Sequence, residues 1–438
     1  MLDIKFIREN KDVVQHAITV KRINLDIDRV LELADQRTEL IQKSDALRTE
    51  KNKNTEAIQK VSEEQRAAII ARGKEIKEQL HTLEQEQNKV EREYTDLMLL
   101  VPNIPSSDTP IGNDASGNIE VARWGTPPAF SFPIKDHVEL GENLDLIDLD
   151  AGVKTSGFRG YYLKNEAALL HMALQWHALN KLVAKGFTPF VPPTLVKEFT
   201  LTGSGHFPGF RNEIYRIANL GTTASGEESA DAMYLVGTSE PSLLAYQSDK
   251  TFEEKELPIK MCGFSQCYRS EVGSYGKDTK GLFRLHEFVK VEQVIICKND
   301  TEVSNQHLEE MRGIAEELLQ ELKLAYRVIQ ICTGDMGAGK HKMYDIETWM
   351  PSRNDYCETH SDSNLTDWQA RRFNIKYKTA DGKKEYVHML NNTVIASPRI
   401  LIALLECYQQ EDGSVIVPQV LRQYLGGKDV IRKRPSVC

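Results

Sequence analysis

Between Ile69 and Val101 the sequence repeats alternately every four and three residues: Ile69, Ile76, Leu80, Leu83, Val90, Tyr94, Leu97 and Val101, with Gly73 and Gln87 in the same register. That is a heptad seam, the pattern by which one helix lies along another. Upstream, Leu33, Leu40, Leu47, Ile58 and Val61 carry a similar register, weakened by Arg37, Ser44, Lys51 and Asn54. With only VSEEQ (61–65) between them, the two helices fold back as an antiparallel coiled-coil hairpin. About 33 residues per helix give an arm of about 50 Å. Two helices are a thin core, so the arm projects from something larger.

VPNIPSSDTPIGNDASGN (101–118) ends the second helix and holds three prolines, three asparagines and two glycines. It reads as a linker over 103–118 between an N-terminal module, 1–102, and a body, 119–438. In the body the pattern changes. NEAALLHMALQWHALNKLVAKG (165–186) is a long helix closed by Gly186, and FTPFVPP (187–193) is a short strand stopped by prolines. Further strands are expected at 232–237, 258–268, 284–297, 325–332, 354–361 and 385–394. Strands joined by short connections favour an antiparallel sheet, so the fold class is α+β. NLGTTASGEESAD (219–231) reads as a surface insertion and GDMGAG (334–339) as a turn.

The chain of 438 residues is long enough for two or three domains, and no run approaches the roughly 18 apolar residues of a membrane span. MLDIKFIREN lacks the basic-then-apolar plan of a signal peptide, so the expected location is cytoplasmic, with no membrane partner. Seven cysteines without a C-x-x-C pair support neither disulfides nor a zinc site. The net charge of −9 excludes a surface coated with positive charge, yet residues 41–80 hold nine Lys or Arg against seven Asp or Glu, a local +2. An acidic body can carry a basic strip on a separate module.

The candidate chemistry lies in YRSEVGSYGKDTKGLFRLHEF (268–288), where Arg269 and Arg284 flank a glycine-rich connection. If 261–269 and 284–292 pair as a hairpin, alternation sets Arg284, His286, Phe288, Lys290 and Glu292 on one face. Guanidinium groups and an aromatic ring on one face suit a nucleotide, the cations for phosphate and the ring for a base. There is no G-x-x-x-x-G-K-[ST], so phosphates here would be held by arginines and a metal. Solvated hairpin charges remain the plainer alternative. In EYVHMLNNTVIASPRILIALLECYQ (385–409) a strand precedes a helix, with Ser397 as N-cap, Pro398 at N1 and Arg399 in the first turn. A cation there opposes the helix dipole and calls for an anionic partner. YCETHSDSN (356–364) sets Glu358 in a strand suited to a hard cation such as magnesium.

These stretches resemble motifs 2 and 3 of the class II aminoacyl-tRNA synthetases, and GFTPFVPPTLV (186–196) resembles their motif 1, the dimer interface. RSEVGSYGKDTKGLFRLHEFVKVE, VGTSEPSLLAY and the coiled-coil hairpin together resemble the bacterial-type seryl-tRNA synthetases along nearly the whole chain. The resemblance implies an antiparallel class II sheet flanked by helices, and a ligase that makes seryl-adenylate from serine and ATP, then charges tRNA(Ser). It implies Arg269 on the α-phosphate as the catalytic residue. Ser270, Glu271, Leu285, Phe288, Glu358, Thr359, His360, Ser361 and Arg399 would bind ATP. Glu358 and Ser361 would hold Mg2+, although alternation sets those two on opposite faces unless the strand is irregular. Serine would lie among Thr238, Ser239, Glu240, Glu292, Asn391 and Thr393.

It also implies a homodimer through motif 1 and tRNA(Ser) on the arm, and leaves open whether selenocysteine tRNA is charged too. Glu287, His206 and Thr393 stand where the family commonly has glutamine, glutamine and serine, which touches the pocket's shape rather than the reaction class. A paralogue charging a carrier protein or another amino acid, or a non-catalytic RNA-binding relative, is the competing reading. The intact arm argues against the first, and Arg269, Glu358 and Arg399 against the last.

Overall fold

Helices Ile27–Ile58 and Glu63–Leu100 are the two that the heptads require, the second beginning inside the expected turn. They belong to a computed structural model that describes residues 1–58, 63–219, 221, 226, 231–272 and 281–434. Most of the 219–231 insertion and the glycine-rich stretch 273–280 lie outside the described residues. Contacts divide the chain into two units, Met1–Ile104 and Pro105–Cys438.

In the first unit every seam position from Ile69 to Val101 is buried or half-buried, with Ile76 and Val101 fully enclosed. Seam residues Asn54 and Gly73 explain each other. The Asn54 amide donates to the Ile69 carbonyl at 2.8 Å, and a Cβ on Gly73 would come within 3.2 Å of that amide. A polar residue at a seam position fixes register at some loss of apolar contact. Ion pairs Arg29–Glu93 (2.8 Å), Arg72–Glu50 (2.7 Å) and Arg48–Glu84 (3.7 Å) run from one long helix to the other. Two short helices, Ile4–Glu9 and Lys11–Val20, precede the hairpin.

The second unit is built on an eight-stranded sheet. Its spatial order is Ile119–Trp124, Tyr326–Gln330, Lys342–Met350, Asp355–Asn364, His388–Ser397, Glu287–Cys297, Ile259–Tyr268 and Thr188–Phe190. All neighbours are antiparallel except the last pair. Strands Ile119–Trp124 and Lys342–Met350 were not expected. In the latter Lys342, Tyr344, Ile346, Thr348 and Met350 are buried in strict alternation, but the intervening Asp345 and Glu347 disguise the period. Helices Asn165–Ala184, Thr301–Glu321 and Arg399–Cys407 contribute Leu174, Leu318 and Leu404 to the same apolar cluster as Val291 and Ile295 of the sheet. Gly186, at φ +87°, takes the left-handed conformation that ends the long helix.

Two expectations need correction. Segment 105–118 is packed rather than a loose linker: Ser106 donates to the His341 carbonyl, Asp108 pairs with Lys342 at 2.5 Å, and a Cβ on Gly112 would lie 2.8 Å from Cys332 Sγ. Proline and glycine fix backbone shape, which is compatible with burial. Ser397 is not a helix cap either. It is the last residue of its strand, its hydroxyl 2.8 Å from His171 Nδ1, and Pro398 occupies the cap position with no side-chain bond. No helix among the described residues is long and apolar enough to cross a membrane.

Candidate active site

A cleft opens between the ends of strands Ile259–Tyr268 and Glu287–Cys297 and the start of helix Arg399–Cys407. Strand pairing sets Cys267 opposite Phe288, and the Arg269 N–H donates to the His286 carbonyl, so Arg269 closes the hairpin as its sequence position requires. Its guanidinium stands 5.4 Å from the centre of the Phe288 ring. Glu271, two residues further on, has φ +52°, and its carboxylate faces Arg284 at 3.2 Å and Arg159 at 3.8 Å. Leu285 lines the cleft beside Phe288. Ser270 points elsewhere, donating to the Asn212 carbonyl.

Across the cleft, Arg399 has the anionic partner that its place at a helix start demands. Nη1 lies 3.5 Å from a Glu358 carboxylate oxygen and donates to the Glu358 carbonyl at 2.8 Å, while Nε donates to the Phe283 carbonyl. Glu358 and Ser361 share a face after all. Strand Lys342–Met350 pairs Asp345 with Ser361 and Glu347 with Glu358, so a bulge at Thr359 absorbs the odd residue between them. The bulge also brings in Asp345, which the sequence reading missed. Burial, then repulsion from Glu358, holds its carboxyl well above the ordinary range, and its Oδ1 has no hydrogen-bond partner among the described residues. Two carboxylates and a hydroxyl on one face, with a buried oxygen unpaired, fit a hard cation. No group of three His, Cys, Asp or Glu among the described residues is arranged to hold one alone. Thr359 and His360 reach the cleft mainly with backbone: the Thr359 hydroxyl bonds Thr348 and the Ile346 carbonyl, and His360 Nε2 donates to the Val394 carbonyl. Burial pushes His360 down to about 4, so it is a neutral structural group. His206, pushed to about 3 by burial, is another.

Beside the cleft lies a buried polar cluster. Lys290 and Glu292 are 2.5 Å apart, and Thr393, directly opposite Glu292 in the ladder, donates to Glu292 at 3.3 Å and accepts from Lys290 at 3.4 Å. Burial raises the Glu292 carboxyl against the pull of Lys290, and nearby Glu240 adds to the rise. Glu240 opens helix Glu240–Ala245 and accepts from Gln369 at 2.6 Å and Asn391 at 3.0 Å. Thr238 accepts from the Glu240 N–H, and Ser239 turns to the Gly263 carbonyl, where glycine leaves room for it. Alternation places Lys290 on the face of Phe288 and Glu292 but gives it no role, and Gln369 was not singled out at all.

A helix-flanked antiparallel sheet with arginines from a hairpin and from a late helix on either side of a cleft defines a class II aminoacyl-tRNA synthetase core. The family described as tRNA synthetase class II core domain (G, H, P, S and T) matches residues 222–408, and Seryl-tRNA synthetase N-terminal domain matches residues 1–105. A Serine--tRNA ligase of Deinococcus radiodurans is 46% identical over 98% of this chain and 99% of its own length; one from Treponema denticola is 42% identical over 97% and 99%. The crystal structure of a Pyrococcus horikoshii seryl-tRNA synthetase complexed with ATP superposes with a TM-score of 0.86 at 36% identity, covering 99% of this chain and 100% of that one. A cytoplasmic Serine-tRNA ligase from Naegleria fowleri in complex with AMP gives 0.83 at 30% identity, covering 99% of each. The chain belongs to the seryl-tRNA synthetase family.

Proposed function

We propose that this chain activates L-serine with ATP and transfers it to the 3′ end of tRNA(Ser). The observation that carries the reading is the cleft itself: Arg269 over Phe288 on one wall, Arg399 on the other, and the Lys290–Glu292–Thr393 cluster beside them. Adenine stacks on Phe288, and Glu271 receives its amino group. Arg269 meets the α-phosphate, where charge grows as the serine carboxylate attacks in line and pyrophosphate leaves. Positioned cations accelerate such a step by alignment and electrostatics, without a covalent enzyme intermediate. Arg399 neutralises the outer phosphates.

Glu240 and Glu292 receive the serine ammonium, Lys290 its carboxylate and Thr393 its hydroxyl. A site built around that hydroxyl rejects alanine because its loss leaves buried groups unpaired. Glu358, Ser361 and Asp345 would hold Mg2+, which offsets phosphate charge when bound.

The exposed apolar stripe of helix Asn165–Ala184, with Leu169, Met172, Trp176 and Val183 on its surface, supports a homodimer through this face. The arm supports tRNA binding. Amino-acid-dependent exchange of pyrophosphate into ATP tests the substrate assignment: serine should drive it, and threonine, alanine and proline should not. Exchange driven best by another amino acid would overturn it.

A further inference from the structure

Gly281 and Leu282 lead from the glycine-rich stretch to Phe283 and the cleft, and both meet one residue outside the three recognised motifs, His137. Gly281, at φ +76°, approaches His137 so closely that a Cβ would lie 2.0 Å from Nε2. The Leu282 N–H donates to that Nε2 at 3.1 Å. The bond fixes the tautomer: Nε2 accepts, so Nδ1 carries the proton and donates to Glu406 at 2.8 Å. His137 and Glu406 are both buried, and the His137 backbone N–H donates to the same carboxylate. Glu406 accepts in addition from the Ser352 N–H at 3.0 Å and the Ser352 hydroxyl at 2.9 Å.

The network closes on the cleft. Arg353 and Arg399 stack on the Phe283 ring, 4.0 and 4.4 Å from its centre, and the Phe283 carbonyl accepts from Arg399 Nε at 3.1 Å. Arg399 and Glu406 lie near opposite ends of one helix. The path therefore runs Arg399, Phe283, Leu282, His137, Glu406 and back along the helix to Arg399.

We infer that His137 is a positioning residue for the nucleotide subsite, fixing Phe283 and through it the guanidinium of Arg399. The inference rests on the reading that this cleft takes ATP. Its test separates the two bonds of the imidazole. In His137→Asn the short amide can still donate to Glu406 but cannot reach Leu282. In His137→Gln the amide oxygen reaches the place of Nε2 and can accept from Leu282.

In pyrophosphate exchange, His137→Asn should raise the KM for ATP roughly five- to tenfold, the worth of one lost buried hydrogen bond. The KM for serine and the melting temperature should stay near wild type, and His137→Gln should recover most of the ATP effect. Gly281→Ala, which crowds an intact His137, should raise the KM for ATP in the same way. Arg399→Ala is the control for the subsite. If it raises the KM for ATP while His137→Asn does not, or if His137→Gln is no better than His137→Asn, the positioning role is overturned and the ATP reading stands. A comparable rise in both KM values with a lowered melting temperature would reduce His137 to a packing residue. An unchanged KM for ATP in Arg399→Ala would overturn the subsite reading and the inference together.

Discussion

Thr393 stands between a cation and a carboxylate, accepting from Lys290 and donating to Glu292, so in the proposed site one hydroxyl would serve the fold and the substrate alike. Thr393→Val keeps the volume and removes that hydroxyl. Discrimination between serine and alanine, measured by exchange kinetics, should fall by about 1–3 kcal/mol, the range for one unsatisfied buried group. Unchanged discrimination would move the hydroxyl contact to another residue. Arg269 is expected to work differently, because the role proposed for it appears only as charge develops on the phosphate. Arg269→Ala should lower exchange by about 10²–10³-fold with the circular dichroism spectrum unchanged; near-normal exchange in the folded variant would remove it from the mechanism. Residues of this kind were legible in the sequence because a cation at a strand end or a helix start is out of place without an anion. Asp345 was not, since a lone carboxylate in an unrecognised strand carries no such signal.

At the scale of elements, period and punctuation were readable and irregularity was not. The heptads gave the arm helices, and alternation gave the face of Phe288, Lys290 and Glu292. The bulge at Thr359 has no mark in YCETHSDSN; only the register with the neighbouring strand reveals it, and that register is set by tertiary pairing. The helix over the sheet offers a test of its own. Glu310 of helix Thr301–Glu321 accepts from His307 at 3.0 Å and from Lys260 of the sheet at 2.5 Å. These bonds, His307 first, lower its carboxyl from 4.5 to about 2 despite partial burial. A carboxyl depressed by folding stabilises the fold above its unfolded value and loses that contribution as the pH falls through the folded one. Wild type should therefore exceed Glu310→Gln by below about 1 kcal/mol near neutrality, since the groups are partly exposed. Thermal melts should show the gap closing as the pH drops from 4.5 toward 2. A gap independent of pH would contradict that linkage.

For the molecule as a whole, the division at 104/105 separates the proposed chemistry from the proposed RNA recognition. The end of the heptad seam and the prolines after it mark a boundary near that point in the sequence. The packing of 105–118 against the body was not legible there, because a proline-rich stretch can be packed as well as loose. A variant lacking residues 36–95, its helices rejoined by a short glycine linker, loses most of the seam and none of the cleft. It should form seryl-adenylate at nearly the wild-type rate and remain dimeric by sedimentation, while charging of tRNA(Ser) collapses. Full charging would make the arm a spacer, and monomers would make it the dimerisation device.

The ion pairs along the arm bear on how choosy that binding is. Arg72 and Arg48, two cations of the basic stretch, already face Glu50 and Glu84. A phosphate would have to outcompete a resident carboxylate for each of them, so an arm that binds RNA would shield its charge from casual polyanions and yield it to an RNA whose phosphates are well placed. Glu50→Gln should then tighten binding to unrelated RNA more than to tRNA(Ser), narrowing the ratio between the two in filter-binding titrations. That result would make the acidic residues of the arm internal competitors, setting a threshold that shape must overcome.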